Sequence, residues 1–383
     1  MSNAPKFTAD WWERLAARGI IIVGYLLVLT LCLYAPLAIN SLRQQKTLNV
    51  CAFTNIFSHE AIALFEERTG AKVNMTYAEL DEEIGAKFSI NQGEGYDVVN
   101  VSDFMVYHLA GQGYLHQLDH AKLRNKAALN RRLMGLIFDP HNTYSLPHKW
   151  FMYGIVYDKT FFKLAPNEMS LEYIFTNPIA LCAQHKVSHP YRICMIDSPM
   201  DAYFLSMLRS FHRCDKFTDD QFLTIARALR EQKSWVECYT LYTIEYFLLS
   251  GVVPLALTSS DFVRKIWDLS DRYEFAIPRE GGILVIENLV IPKNSKNVDL
   301  AHEFIDFMLS DEVATLNSQT FGWTSANVLA NKRLNDRYQT DNHVGYLRHL
   351  FPDDAIFNRL HIPLFSPYAR KQADDAWLRV GYA

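Results

Sequence analysis

The stretch Tyr96-Asp97-Val98-Val99-Asn100-Val101-Ser102 decides the fold, because an apolar strand ends there on a hydroxyl and a helix begins at once with Asp103-Phe104-Met105-Val106. Open α/β sheets present polar groups to a ligand in this way, at the carboxyl end of a strand beside a helix N-terminus. A similar unit precedes it. Leu48-Asn49-Val50-Cys51-Ala52-Phe53 runs to Thr54, and a helix through Glu60-Ala61-Ile62-Ala63-Leu64-Phe65 stops at Thr69-Gly70. Two such corners within the first hundred residues predict a cleft for a small molecule.

Outward from these corners, strands and helices keep alternating. Ala71–Tyr77 reads as a strand with Val73, Met75 and Tyr77 on one face, and Asp81–Ile90 reads as a charged-then-apolar helix. A strand over Met152–Tyr157 is a crossing point into a second lobe. Helices are expected near Asp201–Phe211 and Thr218–Gln232. Val252–Leu257 is an apolar run ending in Thr258-Ser259-Ser260. Ile283–Pro292 is another apolar strand, with one acid, Glu287, inside it. A charge there is costly unless it is paired or faces a wet cleft. Alternation over so long a chain, without one dominant core, argues for two α/β lobes.

A chain of 383 residues with 49% hydrophobic content can bury two domain-sized cores. The net charge of −4 is dispersed, and no basic run supports a nucleic-acid surface. The N-terminus stands apart. Gly19–Ile39 carries no charge and is long enough to cross a hydrocarbon core of roughly 30 Å, with Lys6, Arg14 and Arg18 before it. An uncleaved anchor is the expectation; a cleaved signal peptide and a lipoprotein are the alternatives, though no A-x-A site appears and Leu31 is too large to precede a lipidated Cys32. Residues 1–18 would then be a cytoplasmic tail. Beyond the anchor, Cys51, Cys182, Cys194, Cys214 and Cys238 number five, so one at least stays unpaired; Cys182 with Cys194, or Cys214 with Cys238, are the sequence-local pairs, and buried free thiols are the equal alternative.

The chain resembles the periplasmic spermidine/putrescine-binding proteins, the solute receptors of polyamine ABC importers. The blocks that carry the likeness keep their order from about Thr47 to Asn327. They include Phe53-Thr54, Thr69-Gly70-Ala71-Lys72-Val73, Tyr96-Asp97-Val98-Val99 with Ser102, and Phe138-Asp139-Pro140-His141-Asn142-Thr143-Tyr144-Ser145-Leu146-Pro147 with Trp150. Further on come Glu280-Gly281-Gly282-Ile283, Ile291-Pro292-Lys293-Asn294 and Phe321-Gly322-Trp323. The resemblance implies a two-lobed, type II periplasmic-binding-protein clamshell, here preceded by one transmembrane helix. Lobe one would take residues 46–152 plus 286–331, and lobe two 153–285 plus 332–383.

It also implies a pocket in which rings sandwich an alkyl chain while acids hold its ammonium groups. Carried across, that pocket falls on Phe53, Thr54, Asn55, Ser102, Phe104, Ser198, Asp201, Leu257, Val285, Glu287 and Trp323. Several substitutions erode it. The first corner reads Phe53-Thr54-Asn55-Ile56, losing a carboxylate and a second ring. The acidic pair of the second lobe becomes Ser198 and Asp201, a wall Trp becomes Leu257, and the ring before the central acid becomes Val285. Each lost buried charge partner costs about 1.5–3 kcal/mol, or one to two decades in affinity. The implied function is a membrane-tethered periplasmic binding protein that delivers a polyamine-like cation to an ABC permease and ATPase. The alternative is a receptor or scaffold that keeps the clamshell without transport.

Ser198-Pro199-Met200-Asp201 is also a good helix start, with Ser at the N-cap and Pro at N1. Ser102 and Thr54 can likewise cap the helices that follow them. No G-x-S-x-G, H-E-x-x-H or P-loop pattern supports catalysis, and no cofactor is implied. His116 and His120 have helical ligand spacing, but Gly111 and Gly113 end the helix just before them, which leaves surface histidines as the expectation.

Overall fold

The computed structural model describes residues 18–19, 23–30, 32, 34, 46–212, 218–240, 243–340, 352–365 and 367–381. The chain falls into two compact units, residues 1–47 with 70–72, and residues 48–69 with 73–383. In the first, residues 23–30 are helical, Thr30 Oγ1 donates to Leu26 O at 2.7 Å, and Val23, Leu26, Leu27, Val28 and Leu29 are exposed. Much of the expected span Gly19–Ile39 lies outside the described residues. Among those described, no helix is long and apolar enough to cross a membrane.

The second unit is built on one mixed sheet. Its elements begin with β1 (Thr47–Phe53), α1 (His59–Thr69), β2 (Lys72–Ala78), α2 (Asp81–Asn91), β3 (Val98–Ser102) and α3 (Asp103–Gly111). The long β4 (Ser145–Asp158) leads to β5 (Ile193–Met195), α4 (Pro199–Phe211), α5 (Asp219–Gln232) and β6 (Val236–Tyr239). Next come β7 (Leu255–Ser259), α6 (Ser260–Trp267), β8 (Tyr273–Ala276) and β9 (Gly282–Val290). The chain closes with α7 (Val298–Met308), α8 (Asp311–Phe321), β10 (Thr324–Ser325), α9 (Val328–Thr340), β11 (Leu360–His361) and α10 (Pro367–Gly381). The main strand order is β2-β1-β3-β9-β4-β7-β5-β6.

β3 is buried at every position, the mark of a central strand covered on both faces. β2, at the end of the order, is looser. Val73 is buried and Met75 half-buried, but Tyr77 is exposed and Ala78 takes the inward place, so the expected alternation slips where only one edge is held. The Asp139 block explains how β4 starts. Asp139 accepts the backbone N–H groups of Thr143, Tyr144 and Ser145 at 2.8–2.9 Å, folding a tight turn that aims the strand.

β4 joins two packed regions. On one edge it pairs with β9 through Tyr153 and then with β8 from Ile155; on the other it pairs with β10 at Lys149–Trp150 and then with β7 from Tyr153. Gly154 sits at this exchange of partners, where a Cβ would meet Ala276 O at 2.6 Å and the Phe275 ring at 2.7 Å. Before the exchange, Phe65 and Phe57 pack edge-on against Phe304, between α1 and α7. After it, Tyr157, Tyr203, Phe204 and Phe222 anchor a separate core under α4 and α5. Full burial of such side chains contributes about 1.5–3 kcal/mol each.

Among the described residues the cysteines are free thiols rather than the sequence-local pairs. β5 and β6 run parallel with Cys194 opposite Cys238, two free thiols whose sulfurs are in hydrogen-bond contact at 2.9 Å; Cys182 is also free, and Cys214 lies outside the described residues. The segment with His116 and His120 is extended and turn-like, and no metal-ligating cluster occurs among the described residues.

Candidate ligand-binding site

Three strands in register lay a polar row across the middle of the sheet. Ser102 on β3 lies opposite Glu287 on β9, and Glu287 opposite Lys149 on β4. The β4–β9 ladder shifts register between Pro147 and Lys149. Such a bulge re-aims the next side chain, and Lys149 Nζ reaches Glu287 Oε1 at 3.0 Å. The same ammonium reaches Asp261 Oδ2 at 2.9 Å, from the first turn of α6. Lys149 also lies over the Phe151 ring, 5.0 Å from its centroid. Glu287 is 6% exposed. So the acid on the apolar strand is paired, yet incompletely: neither Glu287 Oε2 nor Asp261 Oδ1 has a hydrogen-bond partner among the described residues.

Helix starts supply more acids beside this row. Ser102 caps α3, its hydroxyl accepting Met105 N–H at 3.3 Å, while the Ser102 N–H donates to Asp81 Oδ1 at the start of α2, also at 3.3 Å. Asp103 is buried and accepts the N–H groups of Ile286 at 2.8 Å and Phe104 at 2.6 Å. Ser198 caps α4 through Asp201 N–H at 3.5 Å, which sets the Asp201 carboxylate in that helix's first turn.

The electrostatics of the row and the helix starts agree. Burial pushes Asp103 up to about 8, outweighing its two N–H donors, and the charges of Asp81 and Asp201 add to the rise. Burial also raises Asp201 to about 6, with Asp81 contributing. Asp81 and Glu287 are raised by burial too, partly offset by Ser102 and by Lys149 respectively. At Lys149 burial works downwards, but Asp261 and Glu287 outweigh it and hold the ammonium above the usual lysine range. These acids are crowded, buried and short of positive charge. A cation would relieve them.

Of the residues expected from sequence, Ser102, Phe104, Ser198, Asp201, Val285 and Glu287 fall around this cluster. Val285 lies opposite Phe151, and with Phe104 and Met200 it is half-buried against the second core. Phe104 already has a cation: Arg370 of α10 lies over its ring at 4.7 Å and pairs with Glu82. The first corner is tied differently. Asn55 adopts φ +63° and its carbonyl accepts Trp323 Nε1–H at 3.0 Å; Trp323 is almost fully buried, its ring edge-on to His148. Trp323 thus braces the corner after Phe53. Thr54 Oγ1 donates to Glu79 at 3.3 Å. Leu257, paired with Ile155, is buried in the second core.

Asp81, Asp103, Lys149 and Asp261 were not among the sequence candidates. Asp81 and Asp103 read there only as first-turn helix acids. Lys149 and Asp261 gave no local signal, because their meaning lies in a partner across the sheet.

A family profile, that of bacterial extracellular solute-binding proteins, matches residues 60–345. The chain belongs to that family. Its members bind solutes for ABC transporters and are not enzymes. A putrescine/cadaverine-binding protein of Pseudomonas aeruginosa is 28% identical over 338 residues, covering 86% of this chain and 91% of that one. The spermidine/putrescine-binding periplasmic protein of Escherichia coli is 25% identical over 292 residues, 76% and 78% of the two chains. Among solved structures, a spermidine/putrescine ABC transporter substrate-binding protein of Streptococcus pneumoniae superposes with a TM-score of 0.72 at 21% identity, covering 88% of this chain and 99% of that one. The two-lobed α/β fold of the extracellular solute-binding proteins is therefore this chain's fold.

Proposed function

We propose that the solute-binding family's general role takes a specific form here: capture of a polyamine-class cation, in the putrescine and spermidine range, between two lobes, for an ABC permease and ATPase. One observation carries this reading: two buried carboxylate oxygens, on Glu287 and Asp261, lack a partner among the described residues, beside an ammonium that the site already holds. Buried acceptors of this kind call for a cationic donor. The relatives' polyamine ligands support the same class. Lobe one is assigned to residues 46–152 plus 286–331 and lobe two to 153–285 plus 332–383, a division supported by the exchange of β4's partners around Gly154. Ligand bridging both lobes would stabilise the closed form by its differential affinity.

A tether belongs to the same proposal. Residues 19–39 would hold the binding unit at the inner membrane with its lobes in the periplasm, and the exposed apolar side chains at 23–29 support an apolar surround. Anchoring would keep the receptor at high effective concentration beside its permease. Resistance of the full-length chain to alkaline extraction from membranes tests this, and release with the soluble fraction rejects it.

A second reading keeps the fold without transport. It is favoured by Lys149 and Arg370, which already answer part of the acidic charge. Titration calorimetry of the full-length chain in detergent, with putrescine, cadaverine and spermidine, separates the two. Saturable binding that Glu287→Gln weakens supports the receptor; no heat at millimolar amine favours the scaffold.

A further inference from the structure

We infer that Lys149 is a specificity-determining residue, a resident ammonium that half-fills a two-carboxylate cradle and so favours diamines over triamines. The inference rests on the amine-binding reading above and deepens it.

The geometry is that of a captured guest. Lys149 Nζ bonds one oxygen of each acid, Glu287 Oε1 at 3.0 Å and Asp261 Oδ2 at 2.9 Å, with the Phe151 ring 5.0 Å away. Two carboxylates and a ring are what an amine-binding subsite offers a ligand. Here the chain supplies that cation itself. The far oxygens, Glu287 Oε2 and Asp261 Oδ1, remain buried and without partners among the described residues.

Charge then limits what can enter. Two carboxylates against one ammonium leave one uncompensated negative charge, enough for one guest ammonium with its three donors. A second guest charge at this end would stand beside Lys149 without an acceptor, and like charges brought together in a buried site repel. A diamine can place one ammonium here and the other toward Asp81 and Asp201. A triamine carries a third charge that Lys149 opposes. The selectivity comes from repulsion built into the site as much as from attraction.

The test is titration calorimetry of the full-length chain with putrescine and with spermidine, for wild type, Lys149→Met and Lys149→Arg. Methionine keeps an unbranched apolar stem and deletes the charge; arginine keeps the charge. Wild type should bind putrescine at least about tenfold more tightly than spermidine. Lys149→Met should shift that ratio toward spermidine by at least about tenfold, and Lys149→Arg should leave it within about threefold. A loss of fold alone would weaken both amines together and cannot move the ratio. An unmoved ratio in folded Lys149→Met overturns the inference while leaving amine binding intact. If Lys149→Met fails to fold, the wild-type preference decides: spermidine bound as tightly as putrescine overturns it. No amine binding by wild type overturns the binding reading and this inference together.

Discussion

The two ends of the acidic cluster are built by different means. At one end, Glu287 and Lys149 are set by cross-strand register, so each position follows from the ladder between β4 and β9. At the other, Asp81, Asp103 and Asp201 sit in the first turns of three helices, where orphan backbone N–H groups and the helix dipole favour negative charge. The sheet end contains its counterion. At the helix end, Arg370 pairs with the neighbouring Glu82, and its charge only partly offsets the burial of Asp81. Lys149 fixes the geometry of the sheet end, whereas burial raises Asp103 to about 8 and Asp201 to about 6, so these two titrate near neutral pH. Strength and pH response therefore belong to opposite ends.

The largest effect should come from the sheet end. Glu287→Gln removes a buried charge-assisted acceptor, and amine affinity should fall at least thirtyfold, about 2 kcal/mol or more. A fall under threefold by calorimetry would shift the energetic centre to the helix end. Asp201→Asn is expected to cost less, about tenfold, because that carboxylate is partly protonated near neutrality and held from a helix tip.

The third expectation concerns pH. Asp201 and Asp103 have native values raised to about 6 and about 8. Such acids contribute stability below their unfolded values near 3.8 and lose it as pH rises through the native ones. The melting temperature of the free protein should drop between pH 4 and pH 8, and saturating amine should flatten that drop. Binding should release protons, so calorimetric heats at pH 6–7 should vary with buffer ionisation enthalpy. Buffer-independent heats would show that neither acid faces the guest. The smallest effect is expected at Arg370→Ala. It frees the face of Phe104, and amine binding should tighten by about threefold, in line with an exposed-to-intermediate cation–π contact. Weakened binding would instead make Arg370 part of the scaffold.

Much of the fold was legible because it is written locally. The apolar run to Ser102, the cap at Ser198 and the lone acid at Glu287 each carry their meaning within a few residues. The partners of Glu287 do not. Lys149 lies 138 positions away in sequence, and it meets Glu287 only because a register shift follows Pro147. Trp323 and Leu257 show the converse. Their places suggested cleft walls, but one braces the Asn55 carbonyl and the other fills the core. The short strands β5, β6 and β8 left too few residues for a period to register, and the contact between the thiols of Cys194 and Cys238 was hidden with them.

Between Trp150 and Ile155, β4 trades its neighbours on both edges, and Gly154 within that stretch is hemmed in by Ala276 and Phe275. On the lobe division proposed above, β4 and β9 both cross the boundary, so opening and shutting would be taken up as torsion in this pair of neighbouring strands. A crowded pivot permits few directions of swing. The path between open and shut would thus be narrow before any guest arrives, with the guest's role confined to choosing where along it the molecule rests.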